Sequence, residues 1–197
     1  MMNINEIFPS YVSQYHMDVD LEPVAAACLE LEKTSSSVSK SNVGGWQSDI
    51  IRLDQRPYDV LLPHILGCLK GIVDYAGYKK NYTIVNSWIN INRSLCSNSP
   101  HVHPGSTVSG VVYIRVPENS GKINFINPAR IAIAGYVDEF AIEGEIPKGP
   151  NSELWHFKPV AGDLLLFPSW LEHYVENNQN ANNEPRISIA FNIKVHE

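Results

Sequence analysis

The sequence predicts a mainly β protein, a sandwich or barrel of antiparallel strands supported by an N-terminal helical layer. Two observations lead to this fold class. The hydrophobic period changes near residue 81, from the spacing of helices to the alternation of short strands. Turn-rich segments then separate the strands, for example PENSG, PKGPN and NNQNANNEP. Many short strands preceded by helices are typical of a strand core covered by a helical layer.

Two helices are predicted before residue 81. Apolar residues follow helical spacing from Leu21 to Leu31, with Asp18 or Asp20 available as the N-cap. A second helix is predicted between about Pro57 and Tyr78. We expect its main part to begin at Pro63, because a proline in the first turn removes no intrahelical hydrogen bond.

The strands are predicted where β-branched and aromatic residues alternate with polar ones. These segments are WQSDIIRL, YTIVNSWININ, SGVVYIRV, KINFI, LWHFKP, DLLLF and RISIAFNIKV. With 197 residues, the chain is long enough for one well-buried core and short for two. We therefore expect one domain over residues 1–197, with 1–80 as the helical support layer and leading strand and 81–197 as the strand core.

Composition and charge exclude several classes of function. The formal net charge of -6 disfavours binding to nucleic acid or to an anionic membrane, since both need a surplus of Lys and Arg. No apolar stretch approaches the length of a membrane span, and the N-terminus lacks the basic start of a signal peptide. Three cysteines without a C-x-x-C pair are expected to be reduced thiols. We expect a cytoplasmic protein.

Three histidines form a candidate metal site. In the segment PHVHPGS, His101 and His103 are two residues apart, so on a strand both side chains would face one metal. About 70 residues later, GDLLLFPSWLEHYV brings His173 to the start of another strand. A near pair and one distant ligand on two strands can form a facial metal site with open positions for substrates. The alternative is that the pair consists of surface histidines beside a proline.

A candidate anion site lies on the last strand. In RISIAFN, Arg186 and Ser188 share a face, opposite to the one on which Ile187 and Ile189 would pack. An arginine inside a barrel needs an anion, and its guanidinium fork suits a carboxylate such as that of 2-oxoglutarate. The alternative is that Arg186 begins an edge strand and points into solvent.

The order H-x-H, S-G-V-V-Y-I, G-D-L-L-L-F-P-S-W-L-x-H and R-x-S-I-A-F-N resembles the 2-oxoglutarate and Fe(II)-dependent oxygenase superfamily. It looks most like a branch of small, mostly uncharacterised bacterial and phage proteins related to prolyl hydroxylases. The resemblance covers about Trp88 to Asn192. It implies a double-stranded β-helix, that is, a cupin-like jelly roll, which binds iron and uses 2-oxoglutarate as cosubstrate.

Carried over by resemblance, His101, His103 and His173 are the first, second and third metal ligands. Arg186 with Ser188 binds the distal carboxylate of 2-oxoglutarate, and Tyr113 is a candidate donor to the same carboxylate. Tyr113 is equally well explained as a core aromatic residue. The sequence departs from the common superfamily pattern, which has Asp or Glu where this chain has His103. Glu172 is adjacent to His173, but on a strand it would face away from it.

The implied activity is that of a dioxygenase which hydroxylates a substrate and releases succinate and CO2. Two alternatives stay open: a three-histidine cupin-type metalloenzyme that does not use 2-oxoglutarate, and a noncatalytic β-sandwich binding module. The expected partners are O2 and a small-molecule or peptidyl substrate, and a homodimer is one of the oligomeric states left open. The segment from Ala129 to Pro150, with Tyr136, Asp138, Glu139 and Phe140, is the predicted lid.

Overall fold

A computed structural model describes residues 9–78, 81–133 and 152–196. Within these ranges the chain forms two α-helices, one 3-10 helix and eleven strands. The helices are α1 (Glu22–Thr34), the 3-10 helix (Tyr58–Leu61) and α2 (Leu62–Ala76). The strands are β1 (Ser13–His16), β2 (Asn42–Val43), β3 (Trp46–Gln47), β4 (Asn81–Asn92), β5 (Ser97–His101), β6 (Val108–Arg115), β7 (Ile123–Ile126), β8 (Leu154–Phe157), β9 (Asp163–Pro168), β10 (His173–Val175) and β11 (Arg186–His196).

The strands form two antiparallel sheets. The larger sheet has the order β1-β9-β6-β11-β4-β3, and the smaller one has the order β2-β5-β10-β7-β8. From β4 to β11 the chain crosses repeatedly between the sheets, so β4, β6, β9 and β11 face β5, β7, β8 and β10. This is the jelly-roll fold that the resemblance implied.

The side chains of the larger sheet divide between two cores. On β6, Val112 and Ile114 belong to the core shared with α1 and α2, whereas Val111 and Tyr113 belong to a second core with Phe125 of the smaller sheet. Strand alternation therefore directs one set of residues toward the helices and the other toward the space between the sheets. The helices support the larger sheet from outside, and the site described below lies on its inner face.

The helices agree with the prediction except at the N-terminus of α1. The N-cap is Leu21, without a side-chain cap. The expected cap, Asp20, lies one residue earlier and accepts a hydrogen bond from the Glu22 N–H at 3.1 Å. Pro63 lies in the first turn of α2, directly after the 3-10 helix. None of the helices in the described ranges is both long enough and apolar enough to cross a membrane.

Two strands were not predicted, and one is shorter than expected. Strands β1 and β2 have no clear apolar alternation, and tertiary pairing alone creates them. Strand β5 was expected only from the spacing of His101 and His103, and it ends at His101. Of WQSDIIRL, only Trp46–Gln47 is a strand. The chain continues beside β4, but the Ser48 hydroxyl accepts the Ile89 N–H at 2.9 Å and interrupts the regular ladder.

The predicted lid lies mostly outside the described residues, including Tyr136, Asp138, Glu139 and Phe140. The assignment of residues 1–197 to one domain stays a prediction.

Candidate functional site

Three histidines converge between the two sheets. His101 is the last residue of β5 and His173 the first of β10, and the two are direct cross-strand partners. His103 lies two residues beyond the end of β5, where its N–H donates to the Ser169 carbonyl at 2.9 Å. The three side chains converge as predicted. The position of His103, however, does not result from strand alternation, because this residue lies beyond the end of β5. The turn between β9 and β10 fixes this residue instead.

The geometry of this cluster fits one metal ion. One ligand atom from each of His101, His103 and His173 lies within 4.8 Å of the others. The Nε2 atoms of His103 and His173 are 3.3 Å apart. Nitrogen ligands at about 2.0 to 2.1 Å from a shared ion are separated by roughly 2.8 to 3.4 Å for bond angles between 90° and tetrahedral. The observed separation therefore fits two ligands of one metal.

Hydrogen bonds at the opposite ring nitrogen orient two of the imidazoles. His101 Nδ1 lies 2.7 Å from the Ser99 carbonyl, and His173 Nδ1 lies 2.9 Å from the Leu171 carbonyl. A carbonyl can only accept, so each Nδ1 carries the proton and each Nε2 keeps its lone pair. Backbone carbonyls commonly fix metal-binding histidines in this way.

The surroundings keep the imidazoles neutral. Burial lowers the pKa of His101, and it lowers the pKa of His103 to about 4 and that of His173 to about 3. The proximity of the other rings lowers the pKa values of His103 and His173 further. Near neutral pH, protons therefore do not compete with a metal for these nitrogens.

In the described part of the chain, no carboxylate joins the histidines. Glu172, adjacent to His173, forms an ion pair with Arg130 at 2.7 Å instead. The donor set is therefore three neutral nitrogens, and a divalent ion would keep its full charge of about plus two, where a carboxylate ligand would lower it by one.

Arg186 is a buried cation without a carboxylate partner among the described residues. It lies on β11, between β4 and β6, and only 2% of its surface is exposed. Its Nη1 donates to the carbonyls of Ser120 and Glu176, whereas its Nη2 is buried and has no partner in the part of the chain that the structure describes. Burial lowers the pKa of Arg186. The alternative of an edge-strand arginine in solvent is wrong for this structure.

The histidines and Arg186 line one open pocket, which offers about 50 Å³ to the centres of water-sized molecules, and about 510 Å³ of empty space if open solvent at its mouth is included. Ser188 and Tyr113 also line it and are cross-strand partners. Ile187 and Ile189 pack into the core shared with α1 and α2, the helix-supported core. The predicted division of β11 into two faces is therefore confirmed. Burial raises the pKa of Tyr113, and the nearby Arg186 cation opposes this shift. The Tyr113 hydroxyl is therefore protonated and can donate a hydrogen bond.

Aromatic side chains surround the histidine cluster. Across the smaller sheet, pairing aligns His101, His173, Phe125 and Trp155 in one row. The Phe125 and His173 rings are 5.9 Å apart, and Trp88 lies 5.6 Å from the His103 ring. Among the described lining residues, Arg186 is the only one that is charged at neutral pH. The pocket is therefore neutral around the histidines and carries a positive charge at Arg186.

Sequence reasoning missed several parts of this site. The Arg186 acceptors are backbone carbonyls of Ser120 and Glu176, which carry no side-chain signal. Phe167, whose ring lies 4.7 Å from that of His173, sits in the predicted strand DLLLF and could have been found from alternation. Asn98 lines the pocket from β5, before the histidine pair on which the expectation of a strand rested.

Comparisons with solved structures show the same fold. An α-ketoglutarate-dependent epimerase from nogalamycin biosynthesis is 16% identical, with a TM-score of 0.67 over 94% of this chain and 77% of the other. A prolyl-4-hydroxylase from Pseudomonas putida is 15% identical, with a TM-score of 0.60 over 95% and 94%. HygX from Streptomyces hygroscopicus, solved with nickel and 2-oxoglutarate, is 11% identical, with a TM-score of 0.60 over 94% and 83%.

No curated protein matches the sequence significantly. A family profile does match, over residues 86–192, and its description is "Putative 2OG-Fe(II) oxygenase". The matched range is more than half of the chain, and it contains the three histidines, Tyr113, Arg186 and Ser188. The chain belongs to this family and is an oxidoreductase that depends on Fe(II) and 2-oxoglutarate.

Proposed function

We propose that His101, His103 and His173 hold the iron, and that Arg186, Ser188 and Tyr113 bind the distal carboxylate of 2-oxoglutarate. The observation that carries this proposal is the buried Arg186 Nη2 without a partner, in the same pocket as the three histidines. A buried guanidinium without an anion is costly. The cosubstrate carboxylate would supply both the missing acceptor and the missing charge.

The pocket suits a molecule that reaches from the histidines to Arg186. Iron(II), when bound, supplies the activation of O2 coupled to conversion of the 2-oxo acid into succinate and CO2. The chain's own residues orient the cosubstrate: the guanidinium and the Ser188 and Tyr113 hydroxyls hold one end, and the neutral aromatic wall near the histidines excludes water from the other.

Hydroxylation of an apolar C–H bond is the reaction we propose. The walls near the histidines are uncharged, which favours a neutral group on the substrate at this point. The substrate is either a small molecule or a peptidyl side chain. Support for a peptide comes from a prolyl hydroxylase of Trichoplax adhaerens, which has this fold and was solved with a peptide fragment. That structure is 15% identical to this chain.

The proposed function is tested by incubating purified protein with Fe(II), 2-oxoglutarate and O2, and measuring succinate by mass spectrometry. We expect succinate formation that needs both the metal and O2. Binding of a transition metal without any binding of 2-oxoglutarate would favour the three-histidine cupin-type enzyme. Failure to bind a transition metal would favour a noncatalytic binding module.

A crystal soaked anaerobically with Fe(II) and 2-oxoglutarate tests the residue assignments. We expect density for the metal at the three Nε2 atoms and for a carboxylate beside Arg186. A cosubstrate bound with its distal carboxylate away from Arg186 would contradict the proposed orientation.

A further inference from the structure

Two turns hold Arg186 in place. Its Nη1 donates to the carbonyl of Ser120, in the turn between β6 and β7, and to that of Glu176, directly after β10, at 3.4 Å. Both contacts are made by one nitrogen, which leaves Nη2 for a ligand. The direction of the guanidinium therefore depends on how these two turns approach each other.

Gly121 permits their close approach. A Cβ at this position would lie 2.8 Å from the carbonyl oxygens of both Glu176 and Asn177, and the residue has a φ of +87°. Both conditions favour glycine. The Glu176 carboxylate accepts hydrogen bonds from the Lys122 N–H at 3.0 Å and from Asn124 Nδ2 at 3.1 Å. Glu176 thus offers its carbonyl to Arg186 while its carboxylate is held elsewhere.

Asn178 anchors the segment that carries the Glu176 carbonyl. We call residues 176–184 the asparagine loop. Asn178 is fully buried, and its Nδ2 donates to the carbonyls of Asn92 and Glu184, both at 2.9 Å. Its Oδ1 accepts the Asn180 N–H at 2.9 Å. One side chain therefore ties both ends of the loop to the end of β4.

Asn180 ties the same loop to the other turn. Its Nδ2 donates to the Glu118 carbonyl at 3.0 Å, and its Oδ1 accepts the N–H groups of Asn182 and Glu184. Glu118 lies in the β6–β7 turn that also contains Ser120. The two buried asparagines thus connect both carbonyls that hold Arg186 to one hydrogen-bonded frame.

We propose that Asn178 is a positioning residue for the cosubstrate: through the asparagine loop it fixes the Arg186 guanidinium in the direction that receives the distal carboxylate of 2-oxoglutarate. This inference rests on the proposed role of Arg186. Asn178 itself touches neither metal nor cosubstrate. Its loss allows the Glu176 carbonyl to move and the guanidinium to turn, while the histidine cluster, which is held by the pairing of His173 with His101 and by the Ser169 carbonyl, stays in place.

The test compares two 2-oxo acids on anaerobic, Fe(II)-loaded protein by calorimetry. Pyruvate has the 2-oxo acid group of 2-oxoglutarate but lacks the distal carboxylate. The ratio of the two affinities therefore reports the contribution of Arg186. For Asn178→Ala we expect about tenfold weaker binding of 2-oxoglutarate, an effect typical of residues that orient a directly binding group. We expect unchanged pyruvate binding, so the ratio falls.

Controls separate positioning from a general loss of structure. Asn182→Ala, in the exposed part of the same loop, should leave both affinities as in the wild type. A merely structural role for Asn178 would weaken both acids equally and leave the ratio unchanged, which would overturn the inference. If Asn178→Ala does not fold, Asn178→Asp keeps the size and the Oδ1 acceptor but loses both donors, and the same fall in the ratio is expected.

The inference and the proposed function fail in different ways. An unchanged ratio in Asn178→Ala beside a reduced ratio in Arg186→Met would refute the positioning role and leave the proposed function standing. An unchanged ratio in Arg186→Met would refute the proposed cosubstrate site, and the inference with it.

Discussion

The Nε2 atoms of His103 and His173 lie 3.3 Å apart, although 70 positions separate the two residues in the chain. Two different contacts create this proximity. His173 is placed by pairing of β10 with β5, whereas His103 is placed by the hydrogen bond from its N–H to the Ser169 carbonyl. The turn between β9 and β10 thus holds His103 through a hydrogen bond and leads directly into His173.

Substitution of these histidines should abolish tight metal binding. For His103→Ala and His173→Ala we expect the affinity for Fe(II) or Co(II) to fall by more than about 100-fold, because even the loss of an outer hydrogen-bonding partner of a ligand costs 10- to 100-fold. The measurement is anaerobic titration followed by elemental analysis.

A matched control for these substitutions is His156→Ala. His156 is exposed on β8 and lies outside the histidine cluster. We expect it to bind metal as the wild type does. Tight binding that survives in His103→Ala would show that His103 is not a ligand, and the metal would then need another donor.

Replacement of Arg186 by Met should affect the cosubstrate and spare the metal. Met fills much of the same buried volume and removes a cation that has no anion among the described residues, so folding should be retained. The 2-oxoglutarate concentration needed for half-maximal turnover should rise by a factor of roughly 10² to 10³, if the charged hydrogen bonds of Arg186 contribute about 3 to 4 kcal/mol. Succinate formation at varied 2-oxoglutarate concentration measures this change. If Arg186→Met formed succinate as fast as the wild type at a low 2-oxoglutarate concentration, the assignment of Arg186 to the cosubstrate would be contradicted.

The role of the Tyr113 hydroxyl is tested by Tyr113→Phe, which keeps the aromatic ring packed in the core between the two sheets. Removal of one hydrogen bond from the hydroxyl to a carboxylate should weaken 2-oxoglutarate binding by roughly 10- to 150-fold, equivalent to about 1.5 to 3 kcal/mol. Binding is measured by calorimetry on Fe(II)-loaded protein without O2. An unchanged affinity would mean that Tyr113 is a core aromatic residue, the alternative left open by the sequence.

The thiol of Cys28 should resist alkylation in the folded protein. It is fully buried on the inner side of α1, and burial raises its pKa to about 12, so almost no thiolate exists at pH 8. We expect mass spectrometry after iodoacetamide treatment to find Cys28 unmodified in native protein and modified in denaturant. Rapid modification of native Cys28 would mean that α1 opens readily.

The sequence predicted those parts of the fold and site that depend on local pattern. Alternation along RISIAFN separated Ile187 and Ile189 from Arg186 and Ser188, and the structure has the same division. The parts that it could not predict depend on long-range pairing. Strand β5 is polar because it borders the site, and only its partners β2 and β10 make it a strand. The carbonyls that hold Arg186 come from turns 66 and 10 residues away.

Gly110, on β6, separates the pocket from the helix-supported core, and its substitution should reduce stability. It lines the pocket, and a Cβ at this position would lie 2.4 Å from Phe191 Cζ and 2.6 Å from Leu166 Cδ2. Both neighbours are fully buried, so they cannot move aside without strain. We expect Gly110→Ala to lower the free energy of unfolding by about 1 to 3 kcal/mol, which at this chain length is roughly 2 to 12 °C in Tm.

The matched control for Gly110→Ala is Gly71→Ala. Gly71 lies on the exposed side of α2, and a Cβ there would meet nothing within 4 Å. Because alanine restricts the unfolded chain more than glycine and favours the helix, this variant should gain about 0.5 to 1 kcal/mol. Thermal and urea unfolding of both variants would measure the difference. A Gly110→Ala protein as stable as Gly71→Ala would show that Phe191 and Leu166 can repack at no cost, and that a side chain is tolerated between the core and the pocket.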